Sequence, residues 1–229
     1  MIVLPRLYPI LDAGCFSNIP DLLTAAEELA SAGATLIQYR SKSGNARVML
    51  QQARELKLRL ANIGDQNPHP IGAQPAPIRA GHPHPDNPIR LIMNDRADLA
   101  LVAEFDGAHV GQDDLSPESV RKIIGPERWL GVSTHNPEQL REAGLTSADY
   151  LAIGPVFSTS SKDKPDPVVG LEGVRQARQL TRKPLVAIGG ITRANAASVI
   201  EAGADSVAVI SDLLREPRKS AEEFFRILR

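Results

Sequence analysis

Cysteine is almost missing from this chain. Cys15 is the one example in 229 residues, so an internal disulfide framework and a multi-cysteine metal site are both excluded. That usage suits a reducing cytosol. Long apolar runs are missing too, and nothing approaches the roughly 20 residues that span a bilayer. The opening residues, Met1-Ile2-Val3-Leu4-Pro5-Arg6, lack the charged start and extended apolar stretch of a signal peptide, so none is expected. Net charge is nearly absent, with 26 basic against 27 acidic residues. A nucleic-acid or membrane-surface partner held by bulk electrostatics is therefore not expected.

What remains is an apolar fraction of 42% on a length that suits one moderate domain. Short apolar runs alternate with amphipathic stretches throughout. Strands are expected at 6–12, 34–38, 90–93, 107–110, 129–132, 150–153, 184–188 and 206–210. Helices are expected between them, with Asp21 opening the first and Gly33 capping its end in a left-handed conformation. Ser116-Pro117 and Asn136-Pro137 read as helix starts, Gln139 as part of a capping box, and Thr192 as a further cap. The last helix carries Phe224, Phe225 and Leu228.

Eight alternations, nearly all-apolar strands and no Gly-x-Gly-x-x-Gly after the first strand favour an α/β fold. The reading is a single (β/α)8 barrel over residues 1–229, with a doubly wound open sheet as the rival. Residues 62–90 interrupt the pattern with seven prolines, from Pro68 to Pro88, and with His69, His82 and His84. They read as an irregular insertion between the second helix and the third strand. A connection from a helix to the next strand lies on the barrel face opposite the ligand end. A metal role for these histidines lacks a supporting cysteine or carboxylate cluster.

The chemistry gathers at the strand ends. In Gln38-Tyr39-Arg40-Ser41-Lys42, alternation sends residues 36, 38, 40 and 42 to one side and 37, 39 and 41 to the other. An amide and two cations then emerge together where barrels bind ligands, and a phosphate or diphosphate is the natural guest. The plainer reading is a charged strand end in water. Asp95 and Asp114 end the third and fourth strands with no obvious cationic partner. They suit Mg²⁺, which keeps positions for water and substrate phosphates, or else serve as turn residues. Gly189-Gly190 and Ile210-Ser211 end the last two strands, where barrels commonly hold a phosphate; a tight turn is the alternative. Lys162, in a Ser/Thr-rich loop, either reaches a second anion or is solvated. Ser133 near His135 is too slight a signal for a nucleophile and base, and nothing activates Cys15. Two anion pockets, a metal and no nucleophile suit displacement of diphosphate.

In combination these motifs resemble thiamine-phosphate synthases. The resemblance covers about Leu7 to Leu214 and is carried by Gln38-x-Arg40-x-Lys42, Asn94-Asp95-Arg96, Gly111-Gln112-Asp113-Asp114, Gly131-Val132-Ser133, Gly154-Pro155-Val156-Phe157 with Thr159 and Lys162, Gly189-Gly190-Ile191, and Ile210-Ser211. It implies a cytoplasmic transferase that joins a pyrimidine diphosphate to a carboxylated thiazole phosphate, releasing diphosphate and CO2. Gln38, Arg40, Lys42, Asn94, Ser133 and Lys162 would hold the pyrimidine diphosphate, with Arg40, Lys42, Ser133 and Lys162 closest to the chemistry. Mg²⁺ would sit on Asp95 and Asp114. Thr159, Ser161, Gly190, Ile210 and Ser211 would hold the thiazole phosphate. The partners implied are small molecules, with a homo-oligomer left open. The insertion is atypical of the family, and Ser158 and Ser161 stand where proline and threonine are common. A thiazole tautomerase of the same fold and a non-catalytic phosphate-binding barrel are the alternatives.

Overall fold

In the computed structural model, residues 2–64, 89–159 and 166–229 are described. The strands are β1 (Leu7–Asp12), β2 (Leu36–Arg40), β3 (Arg90–Asn94), β4 (Gly107–Val110), β5 (Trp129–Thr134), β6 (Tyr150–Ile153), β7 (Leu185–Ile188) and β8 (Ser206–Val209). They pair in chain order, all parallel, and β8 closes on β1. The closed barrel is therefore the architecture, and the open-sheet rival is excluded.

Around the barrel run α1 (Ile19–Ser31), α2 (Ala46–Gly64), α3 (Ala97–Val102), α4 (Pro117–Ile124), α5 (Pro137–Gly144), α6 (Gly170–Leu180), α7 (Ala196–Glu201), α8 (Ser211–Leu214) and α9 (Pro217–Ile227). Among the described residues no helix is long and apolar enough to cross a membrane.

The period-2 alternation of the strands separates two cores. Odd-numbered positions of β1 and β2 (Leu7, Leu11, Ile37, Tyr39) join Leu22, Leu29, Leu56 and Phe224 of the helices in the outer layer. Even-numbered ones (Tyr8, Ile10, Leu36) join Ile92, Tyr150, Ala152, Val186 and Ala208 inside the barrel. Glycine is required where the inner layer has no room. A Cβ on Gly131 would lie 2.2 Å from the Tyr150 ring and 2.3 Å from His109 Nδ1. Near the strand starts, the Arg90 guanidinium lies 4.3 Å above the Trp129 ring, a favourable cation–π contact.

Several helix boundaries follow the expected chemistry. Gly33 has φ +106°, and the backbone N–H of Ala34 returns to Leu29 O, closing α1. Ser116 accepts from Ser119 N and Asn136 from Gln139 N. The Gln139 carboxamide accepts from His135 N, one residue ahead of the cap.

Three boundaries differ from expectation. Asn18, not Asp21, caps α1: its side chain accepts from Asp21 N, so the helix begins two residues earlier. Thr192 does not cap α7; Asn195 sits at that position and turns its own side chain back to Thr192 N. Both ends of the expected 62–90 insertion lie in regular structure: α2 continues through Gly64, and Arg90 is already paired opposite Leu36. Residues 65–88, with the three insertion histidines, lie outside the described residues.

Candidate active site

All eight strands carry their carboxyl ends to one cavity of about 640 Å³. Gln38, Arg40, Lys42, Asn94, Asp95, Asp114, Ser133, Thr159, Gly190, Ile210 and Ser211 line it. These are the expected site residues, apart from Ser161 and Lys162, which lie outside the described residues.

On the β1–β4 side, each expected cation has a carboxylate. Arg40 pairs with Asp12 at the end of β1; Asp12 also accepts from Gly14 N at 3.0 Å. Lys42 Nζ donates to Asp95 Oδ2 at 2.7 Å. The expectation that Asp95 has no cationic partner is therefore corrected: β2 pairs with β3, which brings the two strand ends side by side. Lys42 is mostly exposed, so water screens this pair and it adds little to stability. Its interest is positional.

Asp95 has φ +61°, a left-handed conformation uncommon for a residue with a Cβ. Its N–H is fixed by His109 O at 2.8 Å. Asp114 Oδ2 accepts from Gly111 N at 2.7 Å, so the turn role expected of it is real. The Asp114 carboxyl also faces that of Asp95. Partial burial, and then this like-charged neighbour, hold its pKa above the ordinary value, against the Gly111 N–H.

A buried polar row crosses the barrel beneath these groups. Gln38 Nε2 donates to Tyr8 Oη at 3.1 Å, and Tyr8 Oη lies 2.9 Å from Tyr150 Oη. His109 Nδ1 lies 3.1 Å from Tyr150 Oη, and His109 Nε2 lies 2.8 Å from Ser133 Oγ. Burial pushes His109 down to about 4, opposed by the Asp95 charge, and keeps the ring neutral near pH 7. Burial raises both phenols above their ordinary value. Ser133 thus has a histidine partner, but it is His109 and not His135. The His135 ring turns to Gly154 O instead. Both ring nitrogens of His109 are taken, by Tyr150 and Ser133, and among the described residues no carboxylate bonds to it, so the row reads as a scaffold rather than a nucleophile–base pair. Cys15 is exposed, and burial and Asp12 hold its thiol up, against Arg40; it is not an activated thiolate.

On the β6–β8 side, Gly189 and Gly190 have φ +99° and +63°. A Cβ on Gly190 would come within 2.5 Å of Ser158 O, so only glycine keeps this backbone against the β6 loop. Asn195 Nδ2 donates to Gly190 O at 3.1 Å. This loop and Ser211 at the start of α8 line one wall of the same cavity.

Asp12, Tyr8, His109 and Tyr150 were not anticipated as site residues. Inward alternation within β1, β4 and β6 was the available signal. Among the described residues, no group of three or more His, Cys, Asp or Glu side chains gathers as a metal site; Asp95 and Asp114 are a pair.

A family described as thiamine monophosphate synthase matches residues 85–213. The thiamine-phosphate synthase of Koribacter versatilis is 55% identical over 228 residues, covering 98% of this chain and 96% of its own. That of Chloroflexus aurantiacus is 41% identical over 206 residues, covering 90% of this chain and 83% of its own. A solved thiamine phosphate pyrophosphorylase from Pyrococcus furiosus superposes with a TM-score of 0.77 at 28% identity, covering 97% of this chain and 95% of that one.

Proposed function

The chain belongs to the thiamine-phosphate synthase family of transferases, and we propose that the barrel mouth joins a pyrimidine diphosphate to a carboxylated thiazole phosphate, giving thiamine phosphate, diphosphate and CO2. The observation that carries this reading is one cavity with two unlike walls. Arg40, Lys42, Asp95 and Asp114 stand on one side, and the Gly190–Ser211 wall stands on the other.

The donor set fits Mg²⁺. Two facing carboxylates, one with its pKa raised, favour a divalent cation over isolation, and Mg²⁺ needs only one or two carboxylates when phosphates and water complete its shell. Asp95 and Asp114 would hold it, and when bound it would offset negative charge on the departing diphosphate. Arg40, oriented by Asp12, and Lys42, oriented by Asp95, bind the diphosphate oxygens. Lys162 joins them on the strength of its motif, and Asn94 adds an amide.

Gln38 and Ser133, fixed by the buried row, orient the pyrimidine. Departure of diphosphate leaves positive charge at the pyrimidine methylene, which the aminopyrimidine spreads. The cationic wall acts on the charge that develops in this step, where electrostatic stabilisation counts most. The thiazole nitrogen then attacks the methylene carbon, and the bond from the thiazole ring carbon to its carboxylate breaks to release CO2, with a proton from water taken up at that carbon. Thr159, Gly190, Ile210 and Ser211, with Ser161, hold the thiazole phosphate in line, which converts encounter into orientation. The near-absence of cysteine supports a cytoplasmic setting.

The test is thiamine phosphate and diphosphate release from purified protein, given both substrates, with Mg²⁺ and with EDTA. Product that requires metal is the expected result. Thiazole isomerisation without diphosphate release would move the assignment to the tautomerase. Against that alternative stand Arg40, Lys42, Asp95 and Asp114 lining one cavity, which a tautomerase does not need.

A further inference from the structure

Asp212 stands where a phosphate site has least use for it. It lines the same cavity as Gly190 and Ser211 and follows Ser211 directly in α8. A bare carboxylate there would repel a phosphate dianion. Arg193, from the loop after β7, bonds both of its oxygens. Arg193 Nε donates to Asp212 Oδ2 at 3.1 Å and Nη2 to Oδ1 at 3.0 Å, a bidentate pair. The backbone N–H of Arg193 adds a third bond to Oδ2 at 2.9 Å. Its remaining arm reaches Glu223 of α9. Although burial opposes it, the Arg193 interaction holds Asp212 below the usual carboxylate value, so the group is ionised near neutral pH.

We propose that Arg193 is a positioning residue for the phosphate wall. It neutralises Asp212 and ties the Gly189-Gly190 loop to α8, so that this side of the mouth accepts a phosphate without contacting it through the guanidinium. The inference rests on reading the wall as the monophosphate pocket. A purely structural clasp would have the same geometry, so the two must be separated by a phosphate-specific readout.

Thiamine phosphate and thiamine differ only in that phosphate, and their binding is measured by calorimetry to wild type, Arg193→Met and Arg193→Met/Asp212→Asn. We expect Arg193→Met to weaken thiamine phosphate about tenfold, as loss of a charge-assisted pair beside an anion would, while thiamine changes less than about twofold. The double variant should regain most of the phosphate preference, because the uncovered charge in the cavity lining is gone; Glu223, which Arg193→Met also releases, is not among the residues that line the cavity. Equal losses for both ligands, or a double variant as weak as the single one, would overturn the inference. Should Arg193→Met fail to fold, Asp212→Asn alone decides: a phosphate preference that drops in it overturns the proposal, and one that holds or rises supports it. A wild type with no preference would overturn the reading of the pocket together with this inference. A wild-type preference that survives in Arg193→Met would overturn the inference alone.

Discussion

Arg40 leaves the end of β2 and is held by Asp12 at the end of the neighbouring β1. The acid is 28 positions away in sequence and adjacent only because the two strands pair. It holds the guanidinium in the cavity wall and partly offsets its charge.

Asp12→Ala should therefore release Arg40 rather than strengthen it. We expect KM for the pyrimidine diphosphate to rise about tenfold, the scale of a lost charge-assisted contact, with KM for the thiazole phosphate unchanged. Steady-state kinetics with each substrate varied in turn checks this. An unchanged diphosphate KM would show that Arg40 orients itself without Asp12.

Asp95 and Asp114 should not be equal. Asp95 holds Lys42 as well as facing Asp114, so Asp95→Asn disturbs two functions and Asp114→Asn one. Both should lower kcat by about a hundredfold or more, as expected when metal or preorganised charge is lost. Asp95→Asn should be the worse. Raising Mg²⁺ should recover part of the Asp114→Asn activity and less of the other. Equal kcat values and equal metal titrations would refute the ranking.

Gly190→Ala carries its Cβ into Ser158 O on a backbone with φ +63°. The left-handed conformation alone costs about 1–2 kcal/mol for a residue with a Cβ, so the loop should move before the barrel unfolds. We expect KM for the thiazole phosphate to rise about tenfold or more with a native circular dichroism spectrum. A variant with unchanged thiazole phosphate KM would remove Gly190 from the pocket wall.

His109 should make the protein acid-sensitive. Its folded pKa, near 4, lies below the ordinary histidine value, so the unfolded chain binds the extra proton first. Its contribution is fully present above about pH 6.5 and is lost as pH falls toward 4, by up to about 1.4 kcal/mol per pH unit. Urea unfolding at pH 6.5 and 4.5 should show a smaller acid loss for His109→Gln than for wild type. Identical losses would mean that the buried ring does not titrate on unfolding.

The barrel was legible because its strands are short, apolar and regularly spaced, and because the alternation at residues 36, 38 and 40 is a local property of β2. The glycine at 33 and the caps at Ser116 and Asn136 were legible for the same reason. The pairings were not. Lys42 meets Asp95 across 53 positions because β2 pairs with β3, and Tyr8 meets Tyr150 across 142 because the barrel closes. Asp95 has no obvious cationic partner at its own strand end, and nothing local marks His109, inside β4, as part of a buried polar row. The Thr192 hydroxyl suits a cap, but Asn195 occupies that position and bonds both ways, to Thr192 N and Gly190 O.

The row from Gln38 to Ser133 also ties two remote choices together. His109 is neutral near pH 7 and carries one ring hydrogen, shared between a nitrogen facing Tyr150 and a nitrogen facing Ser133. With the hydrogen on Nε2, the ring donates to Ser133 and the serine hydroxyl is left to donate to a ligand. With it on Nδ1, the ring donates to Tyr150, Nε2 accepts from Ser133, and the serine offers a ligand only lone pairs. The tautomer chosen in the barrel interior thus sets which kind of atom Ser133 can meet at the mouth.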